Sequence, residues 1–232
     1  MVVIGVAVLA VVLGTVLAVV LTQRQPQAAP TPTPAPSATE VAYPPNATDD
    51  RDGIVLNDNA GKPEVGLYFD YQCAHCVAFE KSFAGALSLL GQTGEIRFVH
   101  HPRVFLDRGD PQGLSHRAAH AAACADVVGA YQGYHEAIFA AAPQGPYTER
   151  LFTETIPERL GITGADLTAF RACYANQNLV QFVQGVDDAA AAAGIDSTPT
   201  LTVNGKAVPA QEFQGKTGAD LKAIIDAAAR NR

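Results

Sequence analysis

Val65-Gly66-Leu67-Tyr68-Phe69-Asp70-Tyr71-Gln72-Cys73-Ala74-His75-Cys76 is the stretch that decides the fold. Val65 to Tyr71 is almost continuously apolar, as expected of a short strand buried on both faces. Beyond it, Cys76, Phe79, Phe83, Leu87 and Leu90 recur every three or four residues, which predicts a helix with one apolar stripe. Gly91 and Gly94 end that helix, and Glu95 to His100 (EIRFVH) reads as the next strand. Strand, helix and strand in succession form a βαβ unit, whose right-handed crossover sets the two strands parallel.

Working outward, Ile54-Val55-Leu56 is a further strand candidate. From about Pro111 to Ala193 the chain is alanine-rich and mostly helical, with helices expected at Asp166–Ala175 and Val180–Ala193. Thr200 to Asn204 (TLTVN) returns to strand. Asn204-Gly205 is a strong hairpin signal, and Ala207-Val208 begins the partner strand. Thr217 to Arg230 reads as a final amphipathic helix with Leu221, Ile224 and Ile225 inward. The order is βαβ, a helical insertion at about 108–193, then ββα, which makes an α/β domain over residues 53–232. No internal repeat is visible.

Two segments precede that domain. Val2 to Leu21 holds no charged residue, and twenty residues at about 1.5 Å each match the hydrocarbon core of a bilayer. Residues 1–22 therefore read as a transmembrane anchor. A cleaved signal peptide is the alternative, disfavoured by the length of the apolar run and the lack of a small-x-small site directly after it. Residues 23–52 form a linker whose prolines at 26, 30, 32, 34 and 36 favour extended polyproline II, a semi-rigid spacer. Asn46-Ala47-Thr48 matches a glycosylation sequon, which matters only in a eukaryotic secretory pathway. The formal net charge of -7 argues against a nucleic-acid partner, which would need a basic face.

The Cys-x-x-Cys pair decides the chemistry. Zinc would need two more ligands with local pairing, and Cys124 and Cys173 are single and far apart. A haem attachment site would need His after the second cysteine, where Val77 stands. Thiol redox chemistry remains. Cys73 falls at the amino terminus of a helix, where unpaired N–H groups and the macrodipole favour a thiolate. Cys76 falls on the buried stripe as the shielded, resolving partner. His75, between them, is either a solvated loop residue or a further stabiliser of the Cys73 thiolate. With Cys73 and Cys76 paired, Cys124 and Cys173 are left either as a structural disulfide or as two buried free thiols; an oxidising compartment favours the bridge.

These residues resemble the thioredoxin superfamily, and more narrowly its DsbA-like thiol:disulfide oxidoreductases. Cys73-Ala74-His75-Cys76 followed by Phe79-Glu80 is similar to that family's Cys-Pro-His-Cys…Phe-Glu, and Thr198-Pro199 before TLTVNG resembles its cis-proline loop. The resemblance covers roughly residues 53 to 230. It departs at Ala74, where the family usually has proline, and in the absence of tryptophan, for which Phe69 and Tyr71 are candidate substitutes. It implies a thioredoxin-like fold with a helical insertion, a cis Pro199, and a Thr198 backbone turned toward Cys73 to pair with an extended substrate. It implies that Glu80 is a partly buried acid accepting the Cys76 proton, where the residues alone allow equally an ordinary solvated acid.

It further implies an enzyme that needs no cofactor or metal and introduces disulfides into reduced exported proteins. A quinone-linked membrane oxidoreductase, of the DsbB or vitamin K epoxide reductase-like type, would reoxidise it. The expected location is the cell membrane, single-pass, with the catalytic domain extracytoplasmic. A reductase or isomerase on the same fold is the nearest alternative, and a non-catalytic peptide-binding module is another. His100, His101, His116, His120 and His135 read as isolated solvated or core residues; His116 and His120 are spaced for metal, but no third ligand is evident.

Overall fold

Five strands form one sheet in the order β1-β3-β2-β4-β5. They are β1 (Ile54–Asn57), β2 (Glu64–Phe69), β3 (Arg97–Pro102), β4 (Thr200–Val203) and β5 (Lys206–Ala207). β2 and β3 run parallel, in register from Glu64 opposite Arg97 to Phe69 opposite Pro102. They occupy the middle of the sheet, which explains their near-unbroken apolar sequence. β4 pairs antiparallel with β2, and β1 antiparallel with β3. β5 is shorter than the sequence pattern implies, and the turn joining it to β4 has Asn204 and Gly205 both at positive φ, as a two-residue hairpin requires.

This computed structural model describes residues 42–230. The predicted anchor at 1–22 and most of the predicted linker lie outside the described residues, and no helix among the described residues is long and apolar enough to cross a membrane. The domain begins earlier than residue 53. Asn46 donates from its backbone and its side-chain amide to the Asp126 carboxylate, both at 2.8 Å, and accepts from Val55 N–H at 2.8 Å. Tyr43 packs edge-on against Phe182, and the Arg51 guanidinium lies over the Tyr43 ring, 4.0 Å from its centroid. The last ten residues of the expected spacer are thus held by a polar anchor that proline-rich composition does not reveal.

The helix between β2 and β3 is α1 (Ala74–Phe79), a π-helical turn (Glu80–Ala84) and α2 (Gly85–Gln92) in unbroken succession. Cys76, Phe83 and Leu87 are buried along it, as the stripe predicts. Phe79 and Phe83 close on Phe213 in a three-ring cluster with centroids 4.9–5.7 Å apart.

The helical insertion comprises α3 (Leu114–Asp126), α4 (Tyr131–Ala141), a π-helical turn leading into α5 (Ile156–Arg159), α6 (Gly164–Ala175) and α7 (Val180–Ala192). α3 is covered on every side, which accounts for its alanines: only small side chains let several helices approach one helix at once. A disulfide joins Cys124 of α3 to Cys173 of α6, with Cα atoms 5.7 Å apart. The closing helix α8 (Leu221–Arg230) follows a 3-10 turn whose start is fixed by a Thr217–Asp220 capping box.

The Cys124–Cys173 bridge closes a loop of 49 residues, which the chain-entropy model values at about 4 kcal/mol. Cys124→Ala/Cys173→Ala is expected to lose about that much stability in urea unfolding. The potential of the other cysteine pair is expected to stay unchanged.

Candidate active site

β2 ends at Phe69, and three residues carry the chain to Cys73, the residue that caps α1 from its extended side. The intervening loop is held from beneath by Asp70. Its carboxylate accepts from Gln72 N–H at 2.8 Å, from Ser115 Oγ–H at 2.5 Å and from Leu106 N–H at 3.3 Å, while its carbonyl accepts from Cys73 N–H at 3.0 Å. Asp107 braces the same loop from outside, accepting from Gln72 Nε2 and from the first N–H groups of α3 at Ser115 and His116. Room for it exists because residue 113 is glycine: a Cβ there would stand 2.1 Å from the Asp107 carboxyl carbon. Tyr147 closes the inner side by donating to the Tyr71 carbonyl at 2.7 Å.

Cys73 and Cys76 are both free thiols, in unlike surroundings. Cys73 is half-buried, and its sulfur donates to the Thr198 carbonyl at 3.4 Å. The Thr198–Pro199 peptide is cis, and β4 starts immediately after it. Cys76 is 1% exposed. Burial pushes its thiol far up from the usual range, and the adjacent Cys73 adds to this; the Asp70 backbone and the Thr198 hydroxyl oppose it only in part. His75 is exposed in the first helical turn.

Glu80 stands one turn after Cys76, donating its backbone N–H to the Cys76 carbonyl. Its carboxylate is buried and faces His135 of α4, with Oε1 and Nε2 3.4 Å apart. Beside Cys73 a cleft of about 430 Å³ is lined by Tyr71, Ala74, Val77, Leu114, Pro143 and Tyr147. One exposed-side thiol, one sealed thiol, a backbone edge at Thr198 and an adjoining apolar cleft can together carry out disulfide exchange on an extended peptide.

The Thr198 loop is itself tethered. Arg103, buried after β3, bonds to Asp187 of α7 at 2.6 Å, and its guanidinium also donates to the Ile195 carbonyl. Asp187 in turn accepts from Val104 N–H at 3.0 Å. Sequence reasoning missed Arg103, Asp107, Tyr147 and His135 as parts of the site. Asp70 had a visible signal, being the one charge inside an apolar strand run. The other four sit in unpatterned positions.

The remaining expectations fall as follows. Cys124 and Cys173 are bonded to each other, so their thiols are not free. The five histidines outside the motif are all core residues, not solvated ones. His116 faces Asp107 and Gln184, whereas His120 faces Cys124 and stacks on Tyr174, so the two do not converge on a metal. Among the described residues, the one grouping with metal-binding side chains is His120 with Cys124 and Cys173, whose sulfurs the disulfide already uses.

Two outcomes follow from the burial pattern. Iodoacetamide added to the folded, reduced chain is expected to alkylate Cys73 and spare Cys76, as read by peptide mass spectrometry. Asp70 titrates at about 6 instead of 3.8, chiefly through burial. Its proton is therefore bound more tightly in the folded state, a stabilisation complete below pH 4 and lost as pH rises through 6. The shift corresponds to about 3 kcal/mol, and Asp70→Asn is expected to flatten that part of the stability profile between pH 4 and 7.

The thioredoxin family model matches residues 49–227. No curated protein sequence matches the chain. Among solved structures, the chain is similar to the MdbA protein, a thiol-disulfide oxidoreductase from Actinomyces oris, at 20% identity and TM-score 0.66, covering 82% of this chain and 94% of that one. It is similar to MdbA from Corynebacterium diphtheriae at 19% identity and TM-score 0.63, with the same coverages of 82% and 94%. It is also similar to reduced DsbA from Mycobacterium tuberculosis at 24% identity and TM-score 0.54, covering 78% of this chain and 98% of that one. At these identities the likeness establishes a shared fold.

Proposed function

The chain belongs to the thioredoxin family, and on that premise we propose that it is a thiol:disulfide oxidoreductase that introduces disulfides into exported proteins. The observation that carries the reading is the unequal pair: a half-buried Cys73 at a helix start, bonded to the Thr198 carbonyl beside cis Pro199, with Cys76 sealed beneath. The similarity to the MdbA thiol-disulfide oxidoreductases supports it.

In the oxidised chain, a substrate thiolate attacks Cys73 Sγ. The Cys73–Cys76 bond breaks, and its electron pair leaves on Cys76. The substrate lies along Thr198, with a neighbouring apolar side chain in the cleft by Tyr71 and Pro143. Its second thiolate then attacks its own sulfur in the mixed disulfide and releases Cys73. Two electrons have passed from the substrate dithiol to the cysteine pair. Cys73 attracts the attack because the other sulfur is out of reach and because the helix terminus stabilises Cys73 as it departs.

The uncharged run Val2–Leu21 supports a single-pass anchor, with the spacer holding the domain off the outer face of the membrane. A quinone-linked membrane oxidoreductase would then meet Cys73–Cys76 at raised local concentration and restore the disulfide. The bridge between Cys124 and Cys173 fits an oxidising compartment.

The test is the Cys73–Cys76 reduction potential together with oxidation of a reduced, unfolded test protein. An oxidase is expected to lie well above thioredoxin's value of about −270 mV, toward the −120 mV region of strong oxidants, and to lose turnover in Cys73→Ser. A potential near thioredoxin's with no oxidation would move the reading to reductase. Turnover unchanged in Cys73→Ser would remove every enzymatic reading. Deleting residues 2–21 is expected to shift the protein from the membrane fraction to the soluble one.

A further inference from the structure

A sulfur as deeply buried as Cys76 is a poor leaving group when it must depart as an anion. Each opening of the disulfide requires a proton at that position, and a lone carboxylate at neutral pH has none to give. The surroundings of Glu80 address this. Its side chain is 9% exposed and that of His135 is 2% exposed, with Oε1 and Nε2 separated by 3.4 Å. Neither atom has a hydrogen-bond partner, although both are fully buried. Both residues line a cavity of about 20 Å³, together with His100, Gln132 and Ser88. That space accommodates about one water, and the site offers it several polar neighbours.

The far side of the imidazole is also fixed. His135 Nδ1 pairs with the Tyr71 hydroxyl at 3.1 Å, so the ring cannot turn without losing that bond. Tyr71 lies in the loop leading to Cys73. The titratable groups facing His135 are Tyr71 before α1, Glu80 in the π-helical turn, His100 on β3 and Tyr131 on α4, with Glu136 at the cavity rim. Burial, and then the His135 charge, hold His100 well below its usual value, which leaves it neutral. Of these groups, Glu80 is the one whose carboxyl faces the His135 Nε2 edge, at 3.4 Å.

We propose that His135 supplies Glu80 with the proton that Cys76 takes on leaving, through one water in the cavity that both side chains line. The inference rests on the oxidoreductase reading and assigns that site its proton store. As the substrate thiolate bonds to Cys73 Sγ, the sulfur–sulfur bond breaks and Cys76 Sγ takes a proton from the Glu80 carboxyl. Glu80 is recharged from the His135 imidazolium across the water, and the neutral ring regains its proton from solvent. Reoxidation runs the same path backward. His135 acts only through Glu80 and is a positioning residue, not a catalytic one.

The experiment uses the full chain, with glutathione opening the Cys73–Cys76 disulfide, followed by acid quench and mass spectrometry from pH 5 to 9. His135→Gln is expected to slow opening at pH 7 by about tenfold or more. Its pH profile is expected to match that of Glu80→Gln, and the double variant to be no slower than either single one. Additive losses with an unmoved pH profile would mean a purely structural role and overturn the proposal. Proton NMR of the His135 ring in the unmutated chain keeps the test independent of variant folding. A shift of its titration between oxidised and reduced states is expected, and identical titration in both defeats the proposal. Since glutathione replaces protein substrates, failure of the oxidase assignment would leave this coupling intact.

Discussion

The antiparallel register of β4 on β2 is the constraint from which the site follows. Tyr68 stands opposite Thr200 and Leu67 opposite Leu201, so the chain just before β4 arrives beside the chain just after β2. Cys73 and Thr198 meet there across 125 residues of sequence. Because side chains alternate along a strand, a one-residue slip of β4 against β2 would turn Leu201 away from Leu67 and out of the core. Both are essentially buried, so the apolar face locks the register and the register delivers the sulfur to its carbonyl.

Charged side chains then hold what the register brings together. Arg103 reaches from the end of β3 to Asp187 and the Ile195 carbonyl, connecting the sheet to the segment that enters the Thr198 turn. Breaking such a buried pair from one side leaves an uncompensated charge, typically worth about 3–5 kcal/mol. Asp70 and Asp107 do for the first loop what Arg103 does for the second. The two halves of the site are therefore braced separately, one against α3 and one against α7.

Much of this was legible in the residues. The apolar run before Cys73 marked β2, the 76–79–83–87 spacing marked the helix, and Asn204-Gly205 marked the hairpin, because each is a local pattern with one geometric solution. Thr198-Pro199 became informative only beside the Cys-x-x-Cys motif, through resemblance. The π-helical turn at Glu80 escaped because one extra residue barely disturbs a helical period. The folding of residues 43–52 onto the domain escaped because Asn46 finds Asp126 across 80 positions, a pairing that composition does not encode. The environment of Glu80 escaped for the same reason: its partner lies on another helix, in a stretch where histidine looked incidental.

The covalent tie between α3 and α6 also bears on how each copy of this protein comes into being. Cys124 is wholly enclosed and Cys173 nearly so, with no avenue for an external oxidant once those helices have docked. The bond has to close while the helical region is still open, during the chain's own maturation. A newborn copy must therefore surrender two electrons before it is complete, so the fold of the finished molecule depends on an electron acceptor met early in its life.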